Sequence, residues 1–245
     1  MADYLLIDIS NSFTKLAFAA RPRISKPKRI ETPKLTIAAL KRFIRNRKIQ
    51  MFVVCSVVPT KNRAIRSAAK GTKILWLTPN IQLGVGIDYP NPKRIGADRL
   101  ANAAAVAALY GCPAIVVDFG TAVTFDIISA DRKYIGGVIA PGLEAMTNFL
   151  YQRTALLPKL SLKEPRSAVG KSTVEAMRAG AVIGYRGLVR EIIGRIKAER
   201  FRRQIVQVIA TGGYADLIAA QLAEIDSVHP NLTLEGLRIV ANLNR

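Results

Sequence analysis

The sequence is short of several things, and each shortage removes a class of function. Among 245 residues there are two cysteines and one histidine. Cys55 and Cys112 lie in or beside apolar segments, so no disulfide framework is indicated and a reducing, cytoplasmic setting fits. They lack CxxC spacing, which argues against a zinc site, and both read as packed core thiols. His229 stands alone before Pro230 and reads as a surface loop residue, leaving no support for a histidine metal cluster or a Ser-His-Asp triad. No apolar run reaches the roughly 18 residues of a membrane helix. The apolar N-terminus is interrupted by Asp3, Asp8 and Lys15, unlike a signal peptide. Acidic residues are scarce: 17 Asp and Glu against 37 Lys and Arg give a net charge of +20, which favours contact with anions. Eleven of the cations fall in residues 21–48 beside a single acid, Glu31. That run reads either as a nucleic-acid-binding segment or as a solvated basic face. Few aromatics and no zinc-finger or RNA-binding signature accompany it, which favours the solvated face.

What the sequence does have is apolar periodicity. Half of its residues are hydrophobic, enough for one large domain or two small ones. Two segments resemble each other at a distance. YLLI runs into Asp8, and AIVV runs into Asp118. A small hydroxyl-bearing turn follows each carboxylate, Ser10-Asn11-Ser12 or Gly120-Thr121, and a second strand-like stretch follows each turn. This duplicated strand–turn–strand unit predicts two similar domains divided near residue 115, at 1–115 and 116–245.

Elsewhere strands are expected over 51–58, 73–79 and 205–213. Helices are expected over 35–48, 94–111, 172–200 and from about Asp216, with a further helix after Pro141. Ser172 and Glu175 have capping-box spacing. Residues 158–171, with two prolines and a glycine, read as a loop. Strands alternating with helices give an α/β architecture.

A carboxylate at a strand end, expected to be exposed, can hold a cation, and the turn after it can direct N–H and hydroxyl groups at phosphate oxygens. Two such turns suit a phosphate chain and its metal, with Lys15 adding positive charge. Singly, each turn is also an ordinary hairpin. A third carboxylate, Asp98, opens a helix in GADR (96–99). It can take the proton of an attacking alcohol or simply favour the helix dipole. Arg99 and the helix N-terminus suit an anionic substrate group. GKS at 170–172 imitates a P-loop ending, but Pro165 stands where its first glycine belongs.

The paired D-x-G-[NT]-like turns resemble the phosphate loops of acetate and sugar kinases, actin and the heat-shock ATPases. Those proteins have two RNase H-like domains with ATP in the cleft between them. The fuller set is DISNSFTK (8–15), YPNPKRIGADR (89–99), DFGTAVTFD (118–126), GGVIAPGL (136–143), GKSTVEAMRAG (170–180), ATGGYA (210–215) and LTLEGL (232–237). In its order it resembles the type III pantothenate kinases over nearly the whole chain.

The resemblance implies ATP-dependent phosphorylation of pantothenate to 4′-phosphopantothenate, the first step towards coenzyme A. It implies that the loop Asp8, Ile9, Ser10, Asn11, Ser12, Phe13, Thr14 and Lys15 holds the Mg–ATP phosphates, with Asp8 at the Mg²⁺. Thr121, Gly212 and Gly213 would meet the nucleotide. Asp98 would be the catalytic base. Tyr89, Gly96, Ala97, Asp98, Arg99 and Thr173 would line the pantothenate site. Asp118 would bind a monovalent cation, K⁺ or NH₄⁺, and the protein would be a homodimer. One position departs: Ser10 stands where such families carry glycine. If that position needs a positive φ, serine carries strain of order 1 kcal/mol or more and ATP binding weakens. The departure keeps open a non-catalytic regulatory relative resembling the Bvg accessory factor.

Overall fold

The computed structural model describes residues 3–45 and 47–245. Asn46, inside the expected 35–48 helix and the basic run, lies outside the described residues, as do Met1 and Ala2 of the apolar N-terminus.

The chain forms two compact units. The first comprises Met1–Gly111, Asp131–Gly136 and Asn231–Arg245; the second comprises Cys112–Ala130 and Gly137–Pro230. In order, the elements begin β1 (Tyr4–Ile9), β2 (Phe13–Ala19), β3 (Lys28–Glu31), α1 (Ile37–Ile44), β4 (Met51–Ser56), α2 (Asn62–Ala69), β5 (Lys73–Trp76), β6 (Gly86–Ile87) and α3 (Ala97–Leu109). They continue β7 (Ala114–Phe119), β8 (Ala122–Ile128), β9 (Lys133–Pro141), α4 (Leu143–Arg153), α5 (Thr173–Arg200), β10 (Gln207–Gly212), α6 (Ala215–Ala219), β11 (Ser227–Val228) and α7 (Leu232–Leu243). The alternation is the expected α/β architecture.

The first unit's sheet has the order β3-β2-β1-β4-β5. β1–β2 and β2–β3 are antiparallel, while β4 and β5 run parallel to β1. Side chains alternate across a strand, and this divides the sheet into two faces. Leu5, Ile7, Ile9, Leu16, Phe18, Phe52 and Val54 form one buried cluster with Leu40 of α1 and Ile65 and Ala69 of α2. The residues between them, Leu6, Asp8, Ala17 and Val53 among them, point to the opposite face, where α3 and α7 pack.

Small residues make the α3–α7 pair close: a Cβ on Gly236 of α7 would collide with the backbone carbonyl of Ala101 in α3. Thr233 of α7 donates a buried hydrogen bond to Asn102 of α3, 2.9 Å. A short pairing of β6 with the start of β9 completes this unit, Gly86↔Lys133 and Ile87↔Tyr134.

In the second unit the strands run β11-β10-β7-β8-β9. β10 is parallel to β7, and β8 antiparallel to it. α5 packs on α4 and α6, and its Tyr185 hydroxyl donates to the Pro141 carbonyl, 3.0 Å. Ser172 caps α5 by accepting from Glu175 N–H, as their spacing predicts, but the Glu175 carboxylate accepts from Lys171 N–H, one residue before the cap, rather than from Ser172 N–H. Arg186, 6% exposed, anchors the 158–171 loop. Its guanidinium donates twice to Glu164, at 2.9 and 2.6 Å, and to the carbonyls of Leu217 and Ile218.

Several expected boundaries shrink. The 35–48 helix is α1, starting after Thr36, whose side chain accepts from Ala39 N–H, and ending at Ile44. The 94–111 helix begins at Ala97, because Pro92–Arg94 form a separate 3-10 turn. The strand expected over 51–58 ends at Ser56, and those over 73–79 and 205–213 are Lys73–Trp76 and Gln207–Gly212. The helix after Pro141 stops at Arg153. Cys55 is a core thiol, but Cys112 is only half-buried. Among the described residues no helix is long and apolar enough to cross a membrane.

Candidate active site

The first acidic hairpin is β1–β2. Its register pairs Asp8 with Lys15, and Asp8 with Cys55 on the other side. Asp8 is not exposed as expected; it is 5% accessible, since its neighbours on that face support α3 and α7. The Ser10 hydroxyl donates to Asp8 Oδ1 at 3.3 Å.

Ser10 does not carry the strain its departure from glycine raised. Its φ is not positive, and neither is that of Gly120 in the second hairpin. A Cβ on Gly120 would come no nearer than 3.4 Å to its neighbours, so both turns have room for a side chain. The first turn is braced by a residue the sequence did not reveal. Thr32, 2% exposed, donates to the Ser10 carbonyl at 2.6 Å, and its N–H donates to the Ser12 carbonyl at 3.0 Å. Since the Thr32 hydroxyl proton is spent on Ser10, Thr14 Oγ1, 3.0 Å away, is the donor in their contact. Phe13 stands 37% exposed beside this turn.

Also in the first unit, Asp98 lies in the opening turn of α3. Its Oδ1 accepts from Arg99 N–H at 2.9 Å. Burial pushes its pKa above the usual 3.8, and the Arg99 backbone bond and guanidinium oppose that only in part. Gly96 permits the geometry: a Cβ there would lie 2.5 Å from Asp98 Oδ1. The Arg99 guanidinium sits 5.6 Å from the Tyr134 ring centre, and Tyr134 meets Tyr89 edge to face at 6.1 Å. Tyr89, Gly96, Ala97, Asp98 and Arg99 are thus gathered at one helix start. Tyr134 joins them from β9, a partner 45 residues from Tyr89 in sequence that local reading could not find.

The second unit holds the other hairpin, β7–β8. Here Asp118 is flanked across the strands by Thr124 and Thr211. The turn is Gly120-Thr121, one residue shorter than the first, and the position of Lys15 is taken by Thr124. Gly212 has φ +96°, and a Cβ on it would lie 2.6 Å from Asp118 Oδ1 and from Phe119 backbone atoms, so only glycine fits both the backbone and the space. Gly142 presses on the same turn; a Cβ there would strike the Thr121 carbonyl.

Asp118, Thr121 and Gly212 are therefore close, with Gly213 next in the chain. Thr173 opens α5, 12 residues or about 18 Å of helix before Tyr185, whose ring centre lies 6.3 Å from that of Phe119. The loop before α5 and the helix's first turns line a cavity of 510 Å³ with Lys163, Arg166, Lys171, Arg178, Glu164 and Glu175 among others.

Comparison with known proteins bears on the chain's kinship and fold. The family description "Type III pantothenate kinase" matches residues 4–195. A protein named type III pantothenate kinase from Akkermansia muciniphila is 48% identical over 98% of this chain and 99% of its own. Among solved structures, a conserved putative Baf family transcriptional activator from Campylobacter jejuni is similar with a TM-score of 0.60 at 21% identity, covering 97% of each chain. An archaeal actin homolog aligns with a TM-score of 0.54 at 11% identity over 99% of each chain. These two likenesses speak to the fold, which is actin-like; the sequence match speaks to kinship. The chain belongs to the type III pantothenate kinase family.

Proposed function

We propose that the chain transfers the γ-phosphate of ATP to the primary hydroxyl of pantothenate, giving ADP and 4′-phosphopantothenate on the way to coenzyme A. One observation carries the assignment of its chemistry. A carboxylate whose pKa is raised by burial, Asp98, opens the helix packed on the sheet face that also bears Asp8 and Lys15. A base with a raised pKa is a better proton acceptor once ionised.

In this mechanism Asp98 accepts the hydroxyl proton as the oxygen attacks the γ-phosphorus in line and the bond to ADP breaks. Lys15 and the turn 10–12 hold and neutralise the phosphate chain. Arg99, steadied over Tyr134, meets the substrate carboxylate, and Tyr89 packs against its apolar part. Thr173, at the start of α5, belongs to the same reading as a contact of the pantothenate.

The carboxylate and hydroxyl groups here suit hard cations. Asp8 with the Ser10 hydroxyl fits the side of the nucleotide's Mg²⁺, which when bound offsets phosphate charge. The row Thr211–Asp118–Thr124 gathers oxygen-bearing side chains, which fits a monovalent cation such as K⁺ or NH₄⁺. We also read the protein as a homodimer. Met146, Phe149, Leu150 and Tyr151 of α4 are 40–58% exposed, an apolar surface of the kind a subunit interface covers. The division at 1–115 and 116–245 belongs to the same reading.

The purified protein, given ATP, Mg²⁺ and pantothenate, is expected to release ADP only when pantothenate is present, faster in potassium than in sodium. ADP release that ignores pantothenate would overturn the assignment of substrate.

A further inference from the structure

The register of the first sheet sets three ionisable side chains in one row. Asp8 on β1 faces Lys15 on β2, and Lys15 faces Arg29 on β3. Directly opposed residues share a face, with Cβ atoms about 4.5–5.5 Å apart. The face is the one over which α3 packs, since Leu16 and Phe18, the alternate residues of β2, belong to the other side's cluster. Lys15 and Arg29 are like charges in direct opposition, a pairing that destabilises a sheet. The row's one carboxylate, buried Asp8, adjoins Lys15, while Arg29 lies one strand further out. No ion pair involves Arg29 among the described residues.

Arg29 is also held in place. Its guanidinium carbon lies 3.5 Å from the centre of the Phe13 ring, a stacked contact that fixes the group while leaving its N–H edge for hydrogen bonding. Phe13 explains itself by the same contact: a large apolar side chain, 37% exposed, at the first position after the turn. A guanidinium pre-set on an aromatic face loses little freedom when it meets an anion. An unfavourable cation pair is retained where function requires it.

We propose that Arg29 is a second phosphate-binding cation of the β1–β2 hairpin, stacked on Phe13 and acting beside Lys15 on the polyphosphate of the nucleotide. Nothing in the local sequence marks it, because β3 lies in the basic run and reaches the site only through strand pairing. The inference rests on the reading that the hairpin 8–15 holds ATP phosphates.

The test compares the wild-type protein with Arg29→Gln, Arg29→Lys and Phe13→Leu. Steady-state kinetics are measured for each substrate, with calorimetric titration of Mg–ATP. Arg29→Gln is expected to raise the KM and Kd for ATP by about tenfold, the scale of one charged hydrogen bond, while the pantothenate KM stays within about twofold. Arg29→Lys should recover part of the loss, and Phe13→Leu should show a smaller loss of the same kind. Equal shifts in both KM values, or unchanged ATP affinity in Arg29→Gln, would overturn the proposal. If the wild-type protein itself gives no ATP binding, the hairpin reading fails first, and the proposal with it.

Discussion

Replacing Asp98 with asparagine separates a catalytic carboxylate from a helix-capping one. Asparagine is nearly isosteric and keeps an oxygen that can accept the 2.9 Å bond from Arg99 N–H. What disappears is the ability to take a proton. General-base catalysis contributes about 10²–10⁴-fold, so kcat should fall by that factor, or about 3–5 kcal/mol of barrier, while ATP affinity is unchanged.

Stability should move the other way. The folded pKa of Asp98 is raised by burial, so the folded state holds its proton more tightly than the unfolded chain does. The associated stability is present at low pH and lost as pH rises through the folded pKa. At neutral pH the ionised group is therefore a burden, and Asp98→Asn should melt no lower than the wild type. The acidic limb of kcat/KM should lie above the range of an ordinary aspartate and vanish from the residual activity of the variant. Coupled ADP release, nucleotide titration and thermal melts over pH 4–8 read all of these (the window spans about the usual aspartate and histidine ranges). Turnover within about threefold of wild type, or a clear drop in melting temperature, would show that Asp98 is a cap and not the base.

Other perturbations follow from the same geometry. Gly96→Ala, by placing a Cβ 2.5 Å from Asp98 Oδ1, should displace the carboxylate and depress kcat more than the ATP KM in the same kinetic assay. Gly212→Ala, at φ +96° against Asp118, should cost about 1–3 kcal/mol, a melting shift of several degrees, and blunt activation by potassium. Arg186→Ala leaves the Leu217 and Ile218 carbonyls without their donor and should cost about 1–3 kcal/mol by urea unfolding. Glu164→Gln, at a half-exposed partner, should cost about 1 kcal/mol or less. The bond from Arg186 holds the Glu164 pKa below 4.5, so this small contribution is present above that value and fades as pH falls through the lowered one. Light scattering should give twice the 26.7 kDa chain mass, and Phe149→Glu with Leu150→Glu should halve it; a monomeric wild type would overturn the dimer reading, and a variant that stays dimeric would place the interface elsewhere. The basic run 21–48, read as a solvated face, should bind labelled duplex DNA no tighter than about micromolar at physiological salt.

The hairpins were legible because a buried apolar run that stops at an aspartate is an unusual local pattern, and it occurs twice. Their registers were not legible. The first turn spans three residues and the second two, so Lys15 and Thr124 occupy matching places that a simple overlay of the two segments would miss. The start of α5 followed from the Ser172–Glu175 spacing, and GADR placed Asp98 in an opening turn, both local signals, although the 3-10 turn at Pro92–Arg94 moved that helix's start from 94 to Ala97. Thr32, Arg29, Tyr134 and Gly142 reach the two sites through strand pairing or chain reversal, and nothing within a few residues of them predicts it. Ser10 misled for a related reason. Glycine in a turn motif suggests a left-handed backbone, yet these turns use ordinary φ values, and serine adds a hydroxyl to Asp8 without strain.

The most direct test of the central claim is the fate of the labelled γ-phosphate. The protein is incubated with γ-labelled ATP, Mg²⁺, potassium and pantothenate, and the products are separated and weighed by mass spectrometry. The account predicts label on the primary hydroxyl of pantothenate in the wild type and almost none with Asp98→Asn, although both bind ATP. Label found only as inorganic phosphate, or transferred equally well by the variant, would contradict it.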